Sequence, residues 1–299
     1  MKTRKMLAAF AAMMMLVLTG CAGQTTSDAD STTAEGNAAE SGADSVAAES
    51  GAESTADADA QDDSLQKVLD SGEFVLGLDA SFPPMGFTDE DNNIIGFDID
   101  VAQEVCDRLG VTLVKQPIVW DAKEQDLESG RIDCIWNGLS VNPGRAEAMN
   151  LTDAYMENEM IFVVPADSEI KSLDDLTDKT VGVQLGSTAE EILEAADFYA
   201  EIHTTPLEDN VEALRQMELG FSDTVFMDSV VANYLITSND KDFVILEESL
   251  EKEEYAIGFR KEDQALRDEV QKTLSEMKAD GKLGEISTKW FGSDVTTVK

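Results

Sequence analysis

Short apolar segments alternate along the chain with segments in which apolar residues recur at helical spacing. The clearest strand-like segments are 74–78, 132–136, 180–184 and 224–227. Between the first two, Val101, Val105 and Leu109 fall at i, i+4 and i+8, which predicts the apolar face of a helix that ends at Gly110. Strands that alternate with helices predict an α/β fold whose strands are mostly parallel.

The rest of the chain repeats this alternation. Further strands are predicted at 111–114, 161–165, 243–246 and 255–259. Further helices are predicted at 189–196, 210–219, 229–235 and 266–277. In open α/β sheets, ligands bind beyond the carboxyl ends of the strands. We therefore expect the chemistry of this protein in the residues that follow Leu78, Trp136, Val183 and Met227.

The first 21 residues have the features of an export signal. Basic residues precede an apolar run at 6–18, which is shorter than the roughly 20 residues needed to span a bilayer. The run ends in Leu18-Thr19-Gly20-Cys21, which resembles the lipobox of bacterial lipoproteins, where the cysteine is diacylated. We predict a signal peptide over 1–20 and a lipidated Cys21. The alternative is an ordinary secretory signal that contains a cysteine.

The segment that follows has a different composition. Residues 22–63 consist mainly of Ser, Thr, Ala, Gly, Asp and Glu and contain no Lys, Arg, Pro or aromatic residue. Such a segment cannot bury enough apolar surface to offset its ordering entropy, so we predict a disordered acidic tether over 21–63. No later run is long and apolar enough to span a membrane, which makes the lipid the predicted membrane anchor.

Charge and cysteine content exclude several classes of function. The formal net charge is −39, which argues against nucleic acids and anionic membrane surfaces as partners. His203 is the only histidine and no CxxC motif occurs, so no metal or other cofactor is predicted. Cys106 and Cys134 either form a disulfide or remain as buried thiols.

One motif makes the interpretation more specific. Gly96-Phe-Asp-Ile-Asp-Val101, followed by the predicted helix, resembles the signature of the family 3 solute-binding proteins, which serve ABC importers of polar amino acids. Six further segments match that family in order, and the resemblance covers about 64 to 294. These segments are 78–84, 129–133, 137–145, 185–188, 227–228 and 289–291.

The resemblance implies the architecture of the folded part. The fold is expected to be α/β, two-lobed and periplasmic-binding-protein-like (type II), with the ligand in the cleft between the lobes. Two crossing hinge strands are expected at about 161–166 and 254–259. Lobe 1 is then discontinuous and comprises 64–163 and 256–299, whereas lobe 2 comprises 164–255.

A free amino acid enclosed in a cleft needs partners for its carboxylate and for its ammonium group, because both lose their water. For the carboxylate, Arg145 is the natural bidentate partner, and Asn142-Pro143 predicts a helix start that places Arg145 in the first turn. Ser187 predicts a second helix start, with a capping box, beside Thr188. The resemblance implies carboxylate binding by Arg145, Ser140 and Thr188. The alternative for Arg145 is a surface position.

For the ammonium group, the resemblance implies a carboxylate directly after a strand of lobe 2. Asp228 occupies that place, and the backbone carbonyl of Gly138 is the implied second partner. Asp228 could also cap the helix that begins at Ser229, and the two roles are compatible. With Arg145 in lobe 1 and Asp228 in lobe 2, an amino acid held at both poles would favour the closed state.

The side chain of the ligand is expected to lie among aromatic and polar residues. Phe82 and Trp120 align with two aromatic residues that enclose the ligand side chain in the family, although each could instead belong to the core. Asp79 could recognise a basic or amide side chain, or cap a turn. Asn137, which departs from the smaller residue common in the family, and Gln184 are further polar candidates. This set suits a polar amino acid without selecting one.

Together these features predict a monomeric, lipid-anchored binding protein on the extracytoplasmic face, and not an enzyme. It would capture a free polar amino acid and deliver it to the permease of an ABC transporter. One alternative is an enzyme on the same fold, similar to cyclohexadienyl dehydratase, which would need a carboxyl group with a raised pKa over the leaving group. Another is a sensor ectodomain, which usually continues into a membrane span and a signalling domain.

Overall fold

The computed structural model describes residues 62–238 and 241–299. The main element of the fold in these residues is a mixed sheet of nine strands. The predicted signal peptide, Cys21 and nearly all of the tether lie outside these residues. The strands are β1 (Glu73–Leu78), β2 (Ser81–Phe82), β3 (Gly86–Thr88), β4 (Ile94–Ile95), β5 (Thr112–Pro117), β6 (Cys134–Ser140), β7 (Asn150–Leu151), β8 (Met156–Pro165), β9 (Thr180–Gln184), β10 (His203–Leu207), β11 (Thr224–Asp228) and β12 (Phe243–Phe259). The helices are α1 (Ser64–Ser71), α2 (Phe97–Leu109), α3 (Lys123–Glu128), α4 (Pro143–Ala148), α5 (Thr188–Ala195), α6 (Asn210–Glu218), α7 (Ser229–Ser238), α8 (Gln264–Asp280) and α9 (Lys282–Phe291).

The main sheet consists of two parallel groups joined by two long strands. Its order is β10-β9-β11-β8-β12-β6-β1-β5, with β7 paired to β12. At one end β1 pairs in parallel with β5 and β6, and we call this group lobe 1. At the other end β9 pairs in parallel with β10 and β11, and we call this group lobe 2. Between them, β8 and β12 pair antiparallel with each other and with β11 and β6 respectively.

This sheet confirms the predicted α/β class, but it is mixed and not mostly parallel as expected, because the two long strands β8 and β12 pair antiparallel with their neighbours. The strands β8 and β12 overlap the segments expected to be hinge strands and are the elements through which the two lobes are connected. The residue limits expected for the lobes, 64–163 with 256–299 and 164–255, stay a prediction.

Helix α2 shows how the sequence pattern leads to structure. Val101 and Val105 are buried in the largest apolar cluster, as their spacing predicts, and Leu109 packs against that cluster with its side chain partly buried. The helix ends at the predicted place, because Gly110 adopts a φ of 76° and its N–H donates to the carbonyl of Cys106. The helix also begins before the first of these apolar residues, with Asp98 fully buried in its first turn. That acidic side chain reaches the edge of the candidate site.

Strand β12 differs most from the prediction, since the sequence indicates two short strands where the structure has one of 17 residues. Its middle contains the exposed Glu251 and Lys252, and its pairing with β8 shifts register on either side of Ser249. A polar segment of this kind carries no apolar signal, and the strand forms through its partners. The sequence pattern also does not predict α1, α9 or β10.

The two cysteines of the folded part are free and buried. Burial raises the pKa of Cys106 to about 12 and the pKa of Cys134 well above its usual value. Of the two alternatives left open by the sequence, the structure therefore contains two thiols in their protonated form.

No helix within 62–238 and 241–299 is long and apolar enough to cross a membrane. In the same ranges, no group of three or more His, Cys, Asp or Glu side chains is arranged to hold a metal ion.

Candidate functional site

The candidate residues meet where the carboxyl ends of strands from both lobes face each other. From lobe 1, Asp79 follows β1 and the segment 137–140 ends β6. From lobe 2, Gln184 ends β9 and Asp228 ends β11. The position matches the general rule for ligand binding in α/β sheets.

Arg145 is buried, with 5% of its surface exposed, in the first turn of α4. The predicted cap is present, since the Asn142 side chain accepts a hydrogen bond from the Arg145 N–H at 2.8 Å. Nη1 of Arg145 donates to the Ser140 carbonyl at 2.9 Å and to Oγ1 of Thr188 at 2.7 Å. Its Nε and Nη2 have no hydrogen-bond partner among the described residues. A buried guanidinium with two unpaired nitrogen atoms is arranged to bind an anion, such as a carboxylate.

Thr188 reaches Arg145 from the start of helix α5 in lobe 2. The side chain of Ser187 accepts from the Glu190 N–H at 3.2 Å, as predicted for an N-cap. The capping box expected here forms only in part. The Glu190 carboxylate accepts from the Gly186 N–H at 2.7 Å, one residue before the N-cap. This arrangement fixes the loop that delivers Thr188.

Asp228 is held by side chains of β8 and β12. Its Oδ1 accepts from the Tyr255 hydroxyl at 2.6 Å and from Nδ2 of Asn158 at 2.9 Å. Burial raises the pKa of Asp228 to about 6, while the hydrogen bond from Tyr255 lowers it. A neighbouring cation would stabilise the ionised form of a carboxyl group that is this poorly solvated.

Gly138 has a backbone conformation that requires glycine. Its φ is 61°, and a Cβ added there would lie 2.8 Å from Cε1 of Phe82 and 3.2 Å from the Tyr255 ring. Its N–H donates to Oδ2 of Asp98 at 2.9 Å. Burial raises the pKa of Asp98 to about 7, although the hydrogen bonds from Tyr155 and Gly138 lower it. The role expected for the Gly138 carbonyl stays a prediction.

The polar side-chain candidates form a connected chain across the cleft. Nε2 of Gln184 donates to Oδ2 of Asp79 at 2.8 Å, and the Asp79 N–H donates to Oδ1 of Asn137 at 3.2 Å. Nδ2 of Asn210 donates to Oε1 of Gln184 at 3.3 Å. Burial raises the pKa of Asp79 to about 6, despite the hydrogen bonds from Ser81 and Gln184.

The two aromatic candidates lie in different surroundings. Phe82 belongs to the largest apolar cluster and contacts Gly138, whereas Trp120 belongs to a smaller cluster of lobe 1. The ammonium group of Lys123 lies 5.3 Å from the centre of the Trp120 ring. The structure thus joins Phe82 to the other candidates directly and places Trp120 beside a buried cation.

The lobes are joined by further polar contacts around the site. Nζ of Lys123 donates to the Gly186 carbonyl at 2.8 Å, and Nδ2 of Asn142 donates to the Glu191 carboxylate at 2.8 Å. Lys123 is only 3% exposed, and burial lowers its pKa. Together with the Arg145–Thr188 and Asp79–Gln184 hydrogen bonds, these contacts link the two lobes on several sides of the site.

Several residues of the site are not singled out by the sequence analysis. Asp98 lies inside the motif that carries the family resemblance, so that motif was an available signal. Asn158 and Lys123 occupy segments whose pattern gives no sign of burial. The remaining missed residues are Asn210, Glu253 and Tyr255.

Comparisons with known proteins agree with this geometry. Residues 74–293 match the model of the bacterial extracellular solute-binding proteins, family 3. The L-cystine-binding protein TcyJ of Escherichia coli strain K12 is 30% identical over 239 residues, which cover 79% of this chain and 89% of TcyJ. The arginine-binding extracellular protein ArtP of Bacillus subtilis strain 168 is 30% identical, covering 73% of this chain and 86% of ArtP.

Solved structures give the same result. An ABC uptake transporter substrate binding protein from Streptococcus pneumoniae with bound histidine superposes with a TM-score of 0.74 and 36% identity, over 79% of this chain and 99% of that chain. An ancestral amino acid-binding protein, a precursor of cyclohexadienyl dehydratase, gives 0.71 and 31%, over 76% and 99%. This chain therefore belongs to the family 3 bacterial extracellular solute-binding proteins.

Proposed function

We propose that this protein binds a free polar amino acid between its lobes and delivers it to the permease of an ABC importer. The observation that carries the proposal is the buried guanidinium of Arg145, whose Nε and Nη2 lack partners in the described part of the chain. In the other lobe, the buried carboxylate of Asp228 is poorly solvated. A ligand with an anionic group at one pole and a cationic group at the other, as in an α-amino acid, satisfies both.

The relatives and the pocket support a polar side chain. TcyJ is an L-cystine-binding protein, ArtP is an arginine-binding protein, and the Streptococcus pneumoniae protein was solved with bound histidine. In this chain, Asp79, Gln184 and Asn137 supply carboxylate and amide groups near the cleft. These groups can form hydrogen bonds with a polar ligand side chain. An aliphatic side chain offers them no such bonds, which disfavours its binding. We propose roles in ligand binding for all ten candidate residues, which are Asp79, Phe82, Trp120, Asn137, Gly138, Ser140, Arg145, Gln184, Thr188 and Asp228.

A binding screen tests the proposal. Purified protein is melted with each common amino acid and with cystine, and those that shift the melting temperature are titrated by calorimetry. At a hundredfold excess over Kd, a bound ligand adds about 2.7 kcal/mol to the free energy of unfolding. The matched controls are the methyl ester and the N-acetyl derivative of the best ligand, each of which lacks one charged pole. Binding of these derivatives with unchanged affinity, or no response to any amino acid, would refute the proposal.

We propose that the mature protein is anchored on the extracytoplasmic face through a diacylated Cys21. The apolar run and the lipobox-like sequence before Cys21 support this. Cys21→Ala is expected to move the protein from the membrane fraction to the soluble fraction and to abolish labelling with a palmitate analogue. Cys106→Ala, which removes a buried thiol of the core, is the control and should remain membrane-bound. Membrane retention of Cys21→Ala would contradict the anchor.

We also propose that the protein acts by binding alone. The matched relatives are described as binding proteins, and the cyclohexadienyl dehydratase precursor is itself described as amino acid-binding. Buried carboxyl groups with raised pKa values are the feature that an enzyme would use as a general acid. Incubation of the pure protein with a prephenate-like acid should leave the acid intact, and its conversion would favour the enzyme.

A further inference from the structure

Glu253 is a buried carboxyl group between the two poles of the site. It is 6% exposed, although its neighbours Lys252 and Glu254 on β12 are exposed. Its Oε2 accepts from Oγ of Ser140 at 2.9 Å and from Nδ2 of Asn158 at 3.3 Å. The same Nδ2 of Asn158 donates to Oδ1 of Asp228 at 2.9 Å. One amide group therefore bridges the carboxyl groups of Glu253 and Asp228.

The contacts of Glu253 also reach the opposite pole. Ser140, which donates its hydroxyl to Glu253, accepts Nη1 of Arg145 at its carbonyl. Glu253 is thus connected to Arg145 through Ser140 and to Asp228 through Asn158. A side chain in this place is well positioned to respond to the charge of a ligand that spans both poles.

The surroundings of Glu253 disfavour a second negative charge. Burial and then the neighbouring Asp228 raise the pKa of Glu253 to about 7, while the hydrogen bonds from Ser140 and Asn158 and the charge of Arg145 lower it. Two cavities, of about 540 and 430 Å³, adjoin Glu253. The charged side chains that line them are Glu157, Glu159, Lys252 and Glu254 in the first and Glu191 and Glu251 in the second. Five of these six groups are acidic, so they do not compensate for an ionised Glu253.

Building on the amino-acid binding proposed above, we propose that Glu253 is the second carboxyl group of the ammonium subsite and that a bound amino acid displaces its proton. Before binding, the proton on Glu253 offsets the repulsion between the two carboxyl groups. When the ligand's ammonium group lies beside Asp228, the O–H bond of Glu253 breaks and the proton passes to the solvent. The ammonium group then supplies the positive charge, and Glu253 remains as a carboxylate.

Because the ligand displaces a proton from Glu253, its affinity is expected to rise with pH. At pH 6 most Glu253 side chains carry a proton that the ligand must displace, whereas at pH 8 few do. Linkage then makes affinity rise by about tenfold between pH 6 and pH 8 from this group alone. Asp79 and Asp228, whose pKa values are raised to about 6, titrate lower and contribute mainly below pH 7.

The test compares Glu253→Gln with the matched control Glu254→Gln, in which the same charge is removed from the exposed neighbour. The best amino acid from the screen is titrated by calorimetry at pH 6, 7 and 8. At pH 7 the titration is repeated in two buffers of different ionisation enthalpy, which gives the number of protons released. Wild type and Glu254→Gln are expected to release about half a proton at pH 7, since a carboxyl group with a pKa near 7 is half protonated there.

Glu253→Gln should release much less and should bind several-fold more weakly than wild type at pH 8, with the two affinities converging at pH 6. A ratio that is constant across pH would indicate a packing role and overturn the inference. Unchanged proton release in Glu253→Gln would also overturn it, while leaving amino-acid binding intact. Failure of the wild type to bind any amino acid would refute the proposed function itself.

Discussion

The two poles of the site are built in different ways. At the Arg145 pole, α4 and α5 each begin at a local cap, with Asn142 and Ser187 bonding N–H groups three residues ahead. At the Asp228 pole, the partners lie on separate strands, so Asn158 contacts Asp228 across 70 residues of sequence and Glu253 across 95. The first pole depends on local sequence, whereas the second depends on strand pairing over long distances.

The poles also differ in how fully their groups are bonded. Arg145 has two donor atoms without partners in the described structure, whereas Oδ1 of Asp228 already accepts from Tyr255 and Asn158. A ligand carboxylate would therefore form new hydrogen bonds at the Arg145 pole. A ligand ammonium group would join a carboxylate that is partly satisfied. We expect the Arg145 pole to contribute more to affinity.

Removal of Arg145 should have the largest effect. Truncation of one partner of a buried, hydrogen-bonded charge pair costs about 2–5 kcal/mol. Arg145→Ala is therefore expected to weaken amino-acid binding by roughly a hundredfold or more in calorimetry, while the melting curve stays cooperative. Arg131→Ala, at a half-exposed arginine paired with Asp126, is the control and should bind as wild type. Retained affinity in Arg145→Ala would show that the carboxylate is bound elsewhere.

Removal of the charge at the other pole should have a smaller effect. Asp228→Asn keeps the shape of the side chain, and a hydrogen bond to a charged group is worth about 1.5–3 kcal/mol. We expect affinity to fall by about 10- to 100-fold at pH 8 in calorimetry. Asp197→Asn, at an exposed position of lobe 2, is the control. If Asp228→Asn is more damaging than Arg145→Ala, the order of the two poles proposed here is reversed.

The smallest of these effects concerns the contact between the lobes at the Arg145 pole. Thr188→Val removes the hydroxyl that accepts from Nη1 of Arg145 and keeps the volume of the side chain. Loss of about 1 kcal/mol, or roughly fivefold in affinity, is expected. Thr188→Ser keeps the hydroxyl and should stay near wild type. Equal losses in the two variants would point to the methyl group, and so to packing, as the role of Thr188.

The same contrast explains how much of the protein could be predicted. The α/β class, the end of α2 at Gly110 and the burial of Arg145 and Thr188 follow from periodicity, turn chemistry and motifs, all of which act over a few residues. Asp79 follows β1 and Asp228 ends β11, and both positions can be predicted because strand ends mark the ligand edge of a sheet. Sequence analysis therefore identifies groups that are placed by their own neighbours.

The rest depends on contacts between distant segments. Glu253 lies in a run of charged residues that looks like an exposed face, and only its pairing across the hinge strands buries it. Lys123 begins a short helix, where a lysine is normally exposed, yet it bonds the Gly186 carbonyl of the other lobe. No local pattern distinguishes these residues from solvated ones, because their burial is set by tertiary structure.

The length and position of β12 have a consequence for folding. This strand pairs with β6 of lobe 1 and with β8, and the Ser140–Glu253 hydrogen bond joins residues 113 apart in sequence. Closing so long a loop is entropically unfavourable, and topologies rich in such contacts fold slowly. Before β12 takes its place, β6 and β8 each lack the partner strand of one edge. Lobe 1 therefore keeps one open edge, at β6, until the last strand of the sheet is added.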